Sequence, residues 1–217
     1  MPGSWEQMNS VLGYVLHTET TSVAWAFGLR NLQIPGPIIP LAGMPFDHAR
    51  NAAAKMMLDQ GFEWLFSLDS DVIAPNDAVL RLLAHKQPFI SGLYHRRSPP
   101  HSVGVMIRNG QWVTNYQRGK IIEVDLVGAG CLLIHRSVVE SFFRQPIAPG
   151  HPMFSWQVDM QGILPPGECL SEDFTTCLEW RRRGGKVLVD TSICCRHVGN
   201  FQTGDGTAVP LETVSQT

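Results

Sequence analysis

Residues 62–72 read FEWLFSLDSDV. From Phe62 to Leu68 the stretch is apolar apart from Glu63 and Ser67, and it ends abruptly in Asp69-Ser70-Asp71. A short apolar run of this kind predicts a strand buried on both faces of a sheet. The two carboxylates then fall where the strand leaves the core, which in open α/β sheets is the edge where ligands bind. Carboxylates beside a core are costly unless a cation or hydrogen bonds compensate them. Oxygen ligands in this setting suit a hard divalent cation, Mn²⁺ or Mg²⁺. The alternative is that Asp69 or Ser70 caps the following turn and both Asp side chains are solvated.

Outward from this strand, the pattern alternates. Ser10 to Leu16 predicts a first strand, followed by the polar turn His17-Thr18-Glu19-Thr20-Thr21, a helix over Ser22 to Asn31 and a strand over Ile38 to Leu41. Asp47 is expected to cap a helix whose apolar positions Ala49, Ala52, Ala53, Met56 and Met57 recur at helical spacing, with Gly61 ending it. Pro75-Asn76-Asp77 predicts a helix to about His85, and Phe89 to Leu93 a short strand leading into Tyr94-His95-Arg96-Arg97. A β-rich middle follows: Ser102 to Ile107 and Gln111 to Tyr116 flank the hairpin signal Asn109-Gly110, and Ile121 to Val127 reads as one more strand. Gly128-Ala129-Gly130 opens a strand over Cys131 to Ile134, and a helix is expected from Ser137 to Arg144. The Pro- and Gly-rich stretch 146–168 is long enough inside a compact domain to suggest a loop that is either functional or disordered. Ser171-Glu172-Asp173 begins a helix that stops at Gly184-Gly185, Lys186 to Ile193 forms a closing strand, and Arg196-His197 follows it. Strands alternating with helices in the first hundred residues predict an α/β domain with a central, mostly parallel mixed sheet covered on both sides, carrying a β-rich insert.

Composition narrows the class. A chain of 217 residues fits one domain, expected over residues 1–198, with a polar, mobile C-terminal tail over 199–217. The net charge of −2 gives no basic field and argues against a partner held mainly through phosphate electrostatics. Five cysteines without a Cys-x-x-Cys pair predict neither a disulfide framework nor a structural zinc site, so reduced thiols in a cytoplasmic protein are expected. No stretch approaches the roughly 20 apolar residues needed to span a bilayer.

An ordered set of motifs emerges: Ala49-Arg50-Asn51 on a helix before the central strand, Asp69-Ser70-Asp71 at its end, Gly128-Ala129-Gly130 after the insert, Glu172-Asp173 starting a late helix, and His197 after the last strand. From about Ser10 to Gly199 this order resembles the GT-A glycosyltransferases, especially the family 2-like enzymes of bacterial or bacteriophage type. The resemblance implies a GT-A (nucleotide-diphospho-sugar transferase) fold and a metal-dependent hexosyl transfer from a nucleoside-diphosphate sugar to an acceptor hydroxyl. It implies Asp71 as a direct metal ligand, Asp69 on ribose or metal-bound water, and His197 as the third protein ligand, with Mn²⁺ or Mg²⁺ as cofactor. Asp173 becomes the general base, which would invert the anomeric configuration, and Glu172 a residue that hydrogen-bonds the acceptor or braces the loop. Donor contacts are expected from Thr18, Glu19, Arg50, Asn51, Asp69, Ser70, Gly128, Ala129 and Gly130, and acceptor contacts from Tyr94, Arg96 and Trp156. A glycan, a protein side chain or a hydroxymethylated base in modified DNA are the acceptors considered.

Blander readings of the same residues stay open. Ser171, Glu172 and Asp173 are favourable first-turn residues on any helix. Arg50 could face solvent, His197 could be a surface residue, and the two glycines could mark a bulge. An Asp-x-Asp ending an apolar strand also resembles the nucleophile motif of haloacid dehalogenase-type phosphatases, with Asp69 attacking phosphorus and Asp71 as acid/base. A non-catalytic nucleotide-sugar-binding module is the third alternative.

Overall fold

A computed structural model describes residues 11–17, 20–97, 104–159, 162–164, 169–198, 201–204 and 207–210. The chain runs through β1 (Val11–His17), α1 (Val23–Asn31), β2 (Ile38–Ala42), α2 (Phe46–Gln60), β3 (Trp64–Asp69), β4 (Val72–Ile73), α3 (Ala78–Ala84) and β5 (Phe89–Leu93). It continues with β6 (Met106–Arg108), β7 (Gln111–Trp112), β8 (Ile121–Val124), β9 (Leu126–Val127), β10 (Cys131–His135), α4 (Arg136–Arg144) and α5 (Glu172–Arg182). The last elements are β11 (Val187–Cys194), β12 (Arg196–Val198), β13 (Phe201–Gly204) and β14 (Thr207–Pro210).

The 7-stranded central sheet has the order β2-β1-β3-β10-β5-β11-β8. β1 pairs in parallel with both β2 and β3, and β5 with β11, while β10 and β8 run antiparallel to their neighbours. The expected α/β class, with a mostly parallel mixed sheet flanked by helices and carrying a β-rich insert, is what the structure shows. Because β1 leads to β2 on one side and has β3 on the other, the strand order reverses between β1 and β3. The crevice outside the carboxyl ends of those two strands is therefore the place for a ligand.

Strand alternation explains the two-sided core. On β3, Leu65 packs into one cluster with Leu12, Tyr14 and α2 residues Ala49, Ala53 and Met57. Trp64, Phe66 and Leu68 pack into the other with Trp25 of α1 and Val79 and Leu82 of α3. Ser67 and Asp69 share the face of Leu65 by the same period of two, so their side chains are turned towards α2.

Several boundaries differ from expectation for readable reasons. Pro45, not Asp47, occupies the N-cap of α2; Asp47 lies in the first turn and accepts the His48 N–H at 2.9 Å. The expected strand over 121–127 is broken at Asp125, whose carboxylate takes the Asn109 N–H and pairs with Arg181 at 2.8 Å. Its halves join different sheets: β8 borders β11, and β9 joins the 3-stranded sheet β7-β6-β9. The Asn109-Gly110 hairpin forms, with both residues at positive φ (51° and 69°), but β7 extends only over Gln111–Trp112. β13 and β14 pair with each other and, through β12, with β4 in a 4-stranded sheet; the rest of the expected tail, residues 199–200, 205–206 and 211–217, lies outside the described residues. Among the described residues no helix is long and apolar enough to cross a membrane.

Candidate active site

The Asp-Ser-Asp motif sits at the crossing of two sheets. Asp69 ends β3, and after one turn the chain enters β4, which pairs antiparallel with β12 in the register His197↔Val72. The Val198 N–H donates to the Asp71 carbonyl at 2.6 Å, fixing the late strand against the motif. This pairing brings the His197 Nε2 to 3.2 Å from Asp71 Oδ2, across more than a hundred residues of sequence. α5 starts nearby with Ser171 at its N-cap and Glu172 and Asp173 in its first turn. A cleft of about 500 Å³ results, lined among others by Thr20, Thr21, Arg50, Asp69, Ser70, Asp71, Arg97, Trp156, Glu172 and Asp173. That volume is within the ordinary range for small-ligand sites.

Arg50 organises the floor. Its side chain is 3% exposed and donates from Nη2 to Asp69 Oδ1 at 2.9 Å and from Nε to Glu172 Oε1 at 3.0 Å. Its Nη1 donates to Ser67 Oγ at 2.7 Å and to the Tyr14 hydroxyl at 3.3 Å. Tyr14 and Ser67 are register partners on β1 and β3, so the seat of the guanidinium is built from one face of two adjacent strands. Burial alone would push Arg50 towards its neutral form, but Asp69, Tyr14 and Glu172 outweigh it and hold it charged. The carboxylates share that one buried cation unequally. Burial raises Asp69, with Arg50 opposing and Asp71 and Asp173 adding to the rise. Glu172 is pushed up to about 7 by burial and by the neighbouring Asp173, against the pull of Arg50.

Asp173 is held by three donors. Its Oδ2 accepts the Ala129 N–H at 3.1 Å, and its Oδ1 accepts the Phe174 N–H at 2.8 Å together with the Ser171 hydroxyl. The residue lines the cleft, so the carboxylate is both oriented and reachable.

Asp71 is one-third exposed and takes a 2.9 Å ion pair from Arg97, which is 60% exposed. Burial raises the Asp71 carboxyl, but the hydrogen bond and charge of His197 and the charge of Arg97 outweigh it and hold it below its ordinary value. His197 Nδ1 lies 2.7 Å from the His95 carbonyl, which can only accept, so Nδ1 carries a proton. Nε2 then faces a carboxylate oxygen, an arrangement that calls for a second proton or for a cation between the two. Burial disfavours the imidazolium, but the Asp71 carboxylate prevails and the His197 pKa is raised. An imidazole whose far nitrogen donates to a backbone carbonyl is the usual outer support of a metal-ligating histidine. Asp71 and His197 thus fit a divalent cation, whereas Asp69, the other acidic residue of the motif, has its carboxylate engaged by Arg50.

Charge supports that fit. Among the described residues lining the cleft, four carboxylates (Asp69, Asp71, Glu172, Asp173) face two guanidiniums (Arg50, Arg97). An anionic ligand entering such a cleft needs a cation to accompany it.

Other expected site residues are placed elsewhere. Asn51 lies one position beyond Arg50 on α2 and turns away from the cleft. Its Nδ2 donates to the Phe154 carbonyl at 2.7 Å, and its Oδ1 accepts the Met153 and Phe154 N–H groups at 3.2 and 3.0 Å. It ties the 153–154 segment to the helix instead of meeting a donor. Tyr94, expected on an acceptor, is 5% exposed, and its hydroxyl accepts the Gly130 N–H at 3.0 Å. The same ring accounts for the glycines: a Cβ on Gly128 would lie 2.0 Å from the Tyr94 hydroxyl oxygen, and one on Gly130 2.8 Å from Cζ. Gly128, Ala129 and Gly130 thus meet Tyr94 and Asp173 and do not line the cleft. Arg96 stacks over the Trp112 ring at 4.6 Å, and its neighbour Arg97 reaches the cleft. Trp156 is 52% exposed and lines the cleft; Thr18 and Glu19 lie outside the described residues.

Four contributors were not singled out from sequence. Trp25 donates from Nε1 to the Asp69 carbonyl at 2.9 Å, and Thr21 donates to the Ser70 carbonyl at 3.1 Å, so the motif's backbone is clamped from α1 and the turn before it. Phe46, 55% exposed at the start of α2, lines the same cleft as Trp156. Ser67 carried a legible signal, a hydroxyl inside an apolar strand two residues before Asp69.

No family model and no curated sequence matches this chain. Its fold is similar to that of the protein A197 from STIV, with a TM-score of 0.65, 15% identity and 93% of each chain covered. Mannose-1-phosphate geranyltransferase from Thermus thermophilus has a TM-score of 0.48 at 13% identity, over 82% of this chain and 73% of its own. A UDP-glucose pyrophosphorylase in its apo form has a TM-score of 0.43 at 10% identity, over 86% of this chain and 75% of its own. At these identities the likeness concerns the fold.

Proposed function

We propose that this chain is a metal-dependent glycosyltransferase of the GT-A type, moving a sugar from a nucleoside-diphosphate sugar to an acceptor hydroxyl. The observation that carries the reading is that Asp69, Asp71 and Asp173 line one cleft beyond the ends of β1 and β3, with His197 paired to Asp71 from β12. Asp71 and His197 would hold Mn²⁺ or Mg²⁺, which as a Lewis acid offsets the charge that develops on the leaving diphosphate. Asp69 and Ser70, whose carbonyls are clamped by Trp25 and Thr21, would contact ribose or a metal-bound water. Arg50 holds Asp69 in orientation, and Arg97, exposed beside Asp71, would be placed to bind a phosphate oxygen of the donor. Asp173 takes the proton of the acceptor hydroxyl as its oxygen attacks the anomeric carbon. The bond from that carbon to the diphosphate oxygen breaks, the diphosphate leaves with the electron pair, and the configuration inverts. Trp156 and Phe46 offer aromatic faces at the rim for a sugar or acceptor.

The phosphatase alternative has less support. Asp69, its nucleophile, has Oδ1 engaged by a buried guanidinium, and the reading gives Asp173 and His197 no part to play.

A panel of nucleotide sugars, assayed for thermal stabilisation and hydrolysis with and without Mn²⁺, tests the proposal. One nucleotide class should stabilise the protein only with metal, and Asp71→Ala should abolish the effect. Stabilisation that survives Asp71→Ala or EDTA unchanged would refute the metal assignment.

A further inference from the structure

Asp47, His48 and His151 gather at the N-terminal end of α2, the helix that carries Arg50. One ligand atom from each lies within 4.8 Å of the others. Asp47 and His48 open α2, whereas His151 comes from the segment between α4 and α5. Asp47 Oδ1 is engaged by the His48 N–H, which leaves Oδ2 facing His151 Nδ1 at 3.2 Å. That Nδ1 is shielded from water and has no well-formed hydrogen bond despite the short approach. The His48 and His151 rings lie with centroids 4.8 Å apart and planes tilted by 54°, and a nitrogen of each lies within 4.8 Å of the other and of an Asp47 oxygen. Two imidazoles and a carboxylate suit a borderline cation of the zinc type better than Mg²⁺ or Ca²⁺, which prefer oxygen.

We propose that Asp47, His48 and His151 form a second divalent-cation site, of the zinc type, that staples the 151–156 segment to the N-terminus of α2. Zinc–ligand bonds of about 2.0–2.2 Å bring ligand atoms to roughly 3.3 Å from one another, so the exposed His48 closes the remaining gap by rotating its side chain. Three protein ligands leave one tetrahedral position for water. A cation at a helix N-terminus opposes the helix dipole, and the Asp47 carboxylate in the first turn offsets that. One turn along α2, Asn51 grips Met153 and Phe154 of the same segment. The staple and this grip together fix the approach to Trp156, so the site sets the position of a cleft wall without touching the proposed donor cation.

Cobalt(II) titrated into the full chain carrying Asp71→Ala, followed by visible absorption and calorimetry, separates this site from the one at Asp71. The expected result is one bound equivalent with tetrahedral-type absorption. His48→Ala or His151→Ala in that background should weaken binding by at least roughly tenfold, since even outer partners of metal ligands alter affinity that much. His48→Ala in the otherwise unaltered chain should lower the cobalt stoichiometry by one; its side chain is exposed, so folding is not at stake. Absence of the absorption, or absorption indifferent to both histidine substitutions, would leave Asp47 and His151 a simple ion pair and overturn the proposal. Because Asp71 is already removed, neither outcome depends on the transferase reading.

Discussion

Arg50 is a single buried cation set among Asp69, Glu172 and Asp173, and that imbalance has a measurable pH signature. The folded-state pKa of Glu172 lies at about 7, above the ordinary 4.5, so the folded chain binds a proton that the unfolded chain has released. Stability from this group is therefore full below about pH 4.5 and falls as pH rises to about 7, by up to about 3 kcal/mol. Urea midpoints taken across that window should decline for the wild type, and Glu172→Gln should remove this component of the slope. An identical slope in the variant would mean Glu172 is ionised throughout. Asp173 differs: its carboxylate is anchored by Ala129, Phe174 and Ser171 and open to the cleft. Asp173→Asn should retain metal-dependent donor binding while slowing transfer by about 10²–10⁴-fold. Joint loss of fold and donor binding would instead mark it as a helix-terminus residue only.

At the scale of elements, the segment 128–130 owes its two glycines to a ring. The Tyr94 side chain fills the space where side chains on Gly128 and Gly130 would lie, and its hydroxyl receives the Gly130 N–H. Gly128→Ala should destabilise the fold by about 1–3 kcal/mol through overpacking, read as a lowered denaturant midpoint. A neutral substitution would show that Tyr94 can swing aside. The sequence made the central strand and the Asn109-Gly110 turn readable, because local periodicity and turn chemistry determine them; along α2 it found Ala49, Ala53 and Met57, while Ala54 is buried in place of the half-buried Ala52. It did not distinguish Arg96 from Arg97, nor Arg50 from Asn51. In each pair adjacent side chains diverge, and only the partner elements, Trp112 and the 153–154 segment, determine which one faces the cleft. Strand pairing between β12 and β4 was equally hidden, since it joins residues 72 and 197 through a sheet that the apolar pattern of neither segment announces.

Across the whole molecule, the doubly covered sheet brings the ends of β1, β3 and the start of α5 to one crevice, while the small β4–β12 sheet closes it from the far side. The order of motifs along the chain was legible and so was the fold class. The ion-pair partners that hold the site together, Arg50 with Glu172 and Arg97 with Asp71, required the folded chain. On the proposed reading, the excess of carboxylates lining the cleft calls for a cation to accompany an anionic donor. Anomalous diffraction at the manganese edge, from crystals grown with Mn²⁺ and a nucleoside diphosphate, tests this most directly. The expected result is a peak within coordination distance of Asp71 and His197 and in contact with the diphosphate. A diphosphate bound in the cleft with no manganese peak beside Asp71 would contradict it.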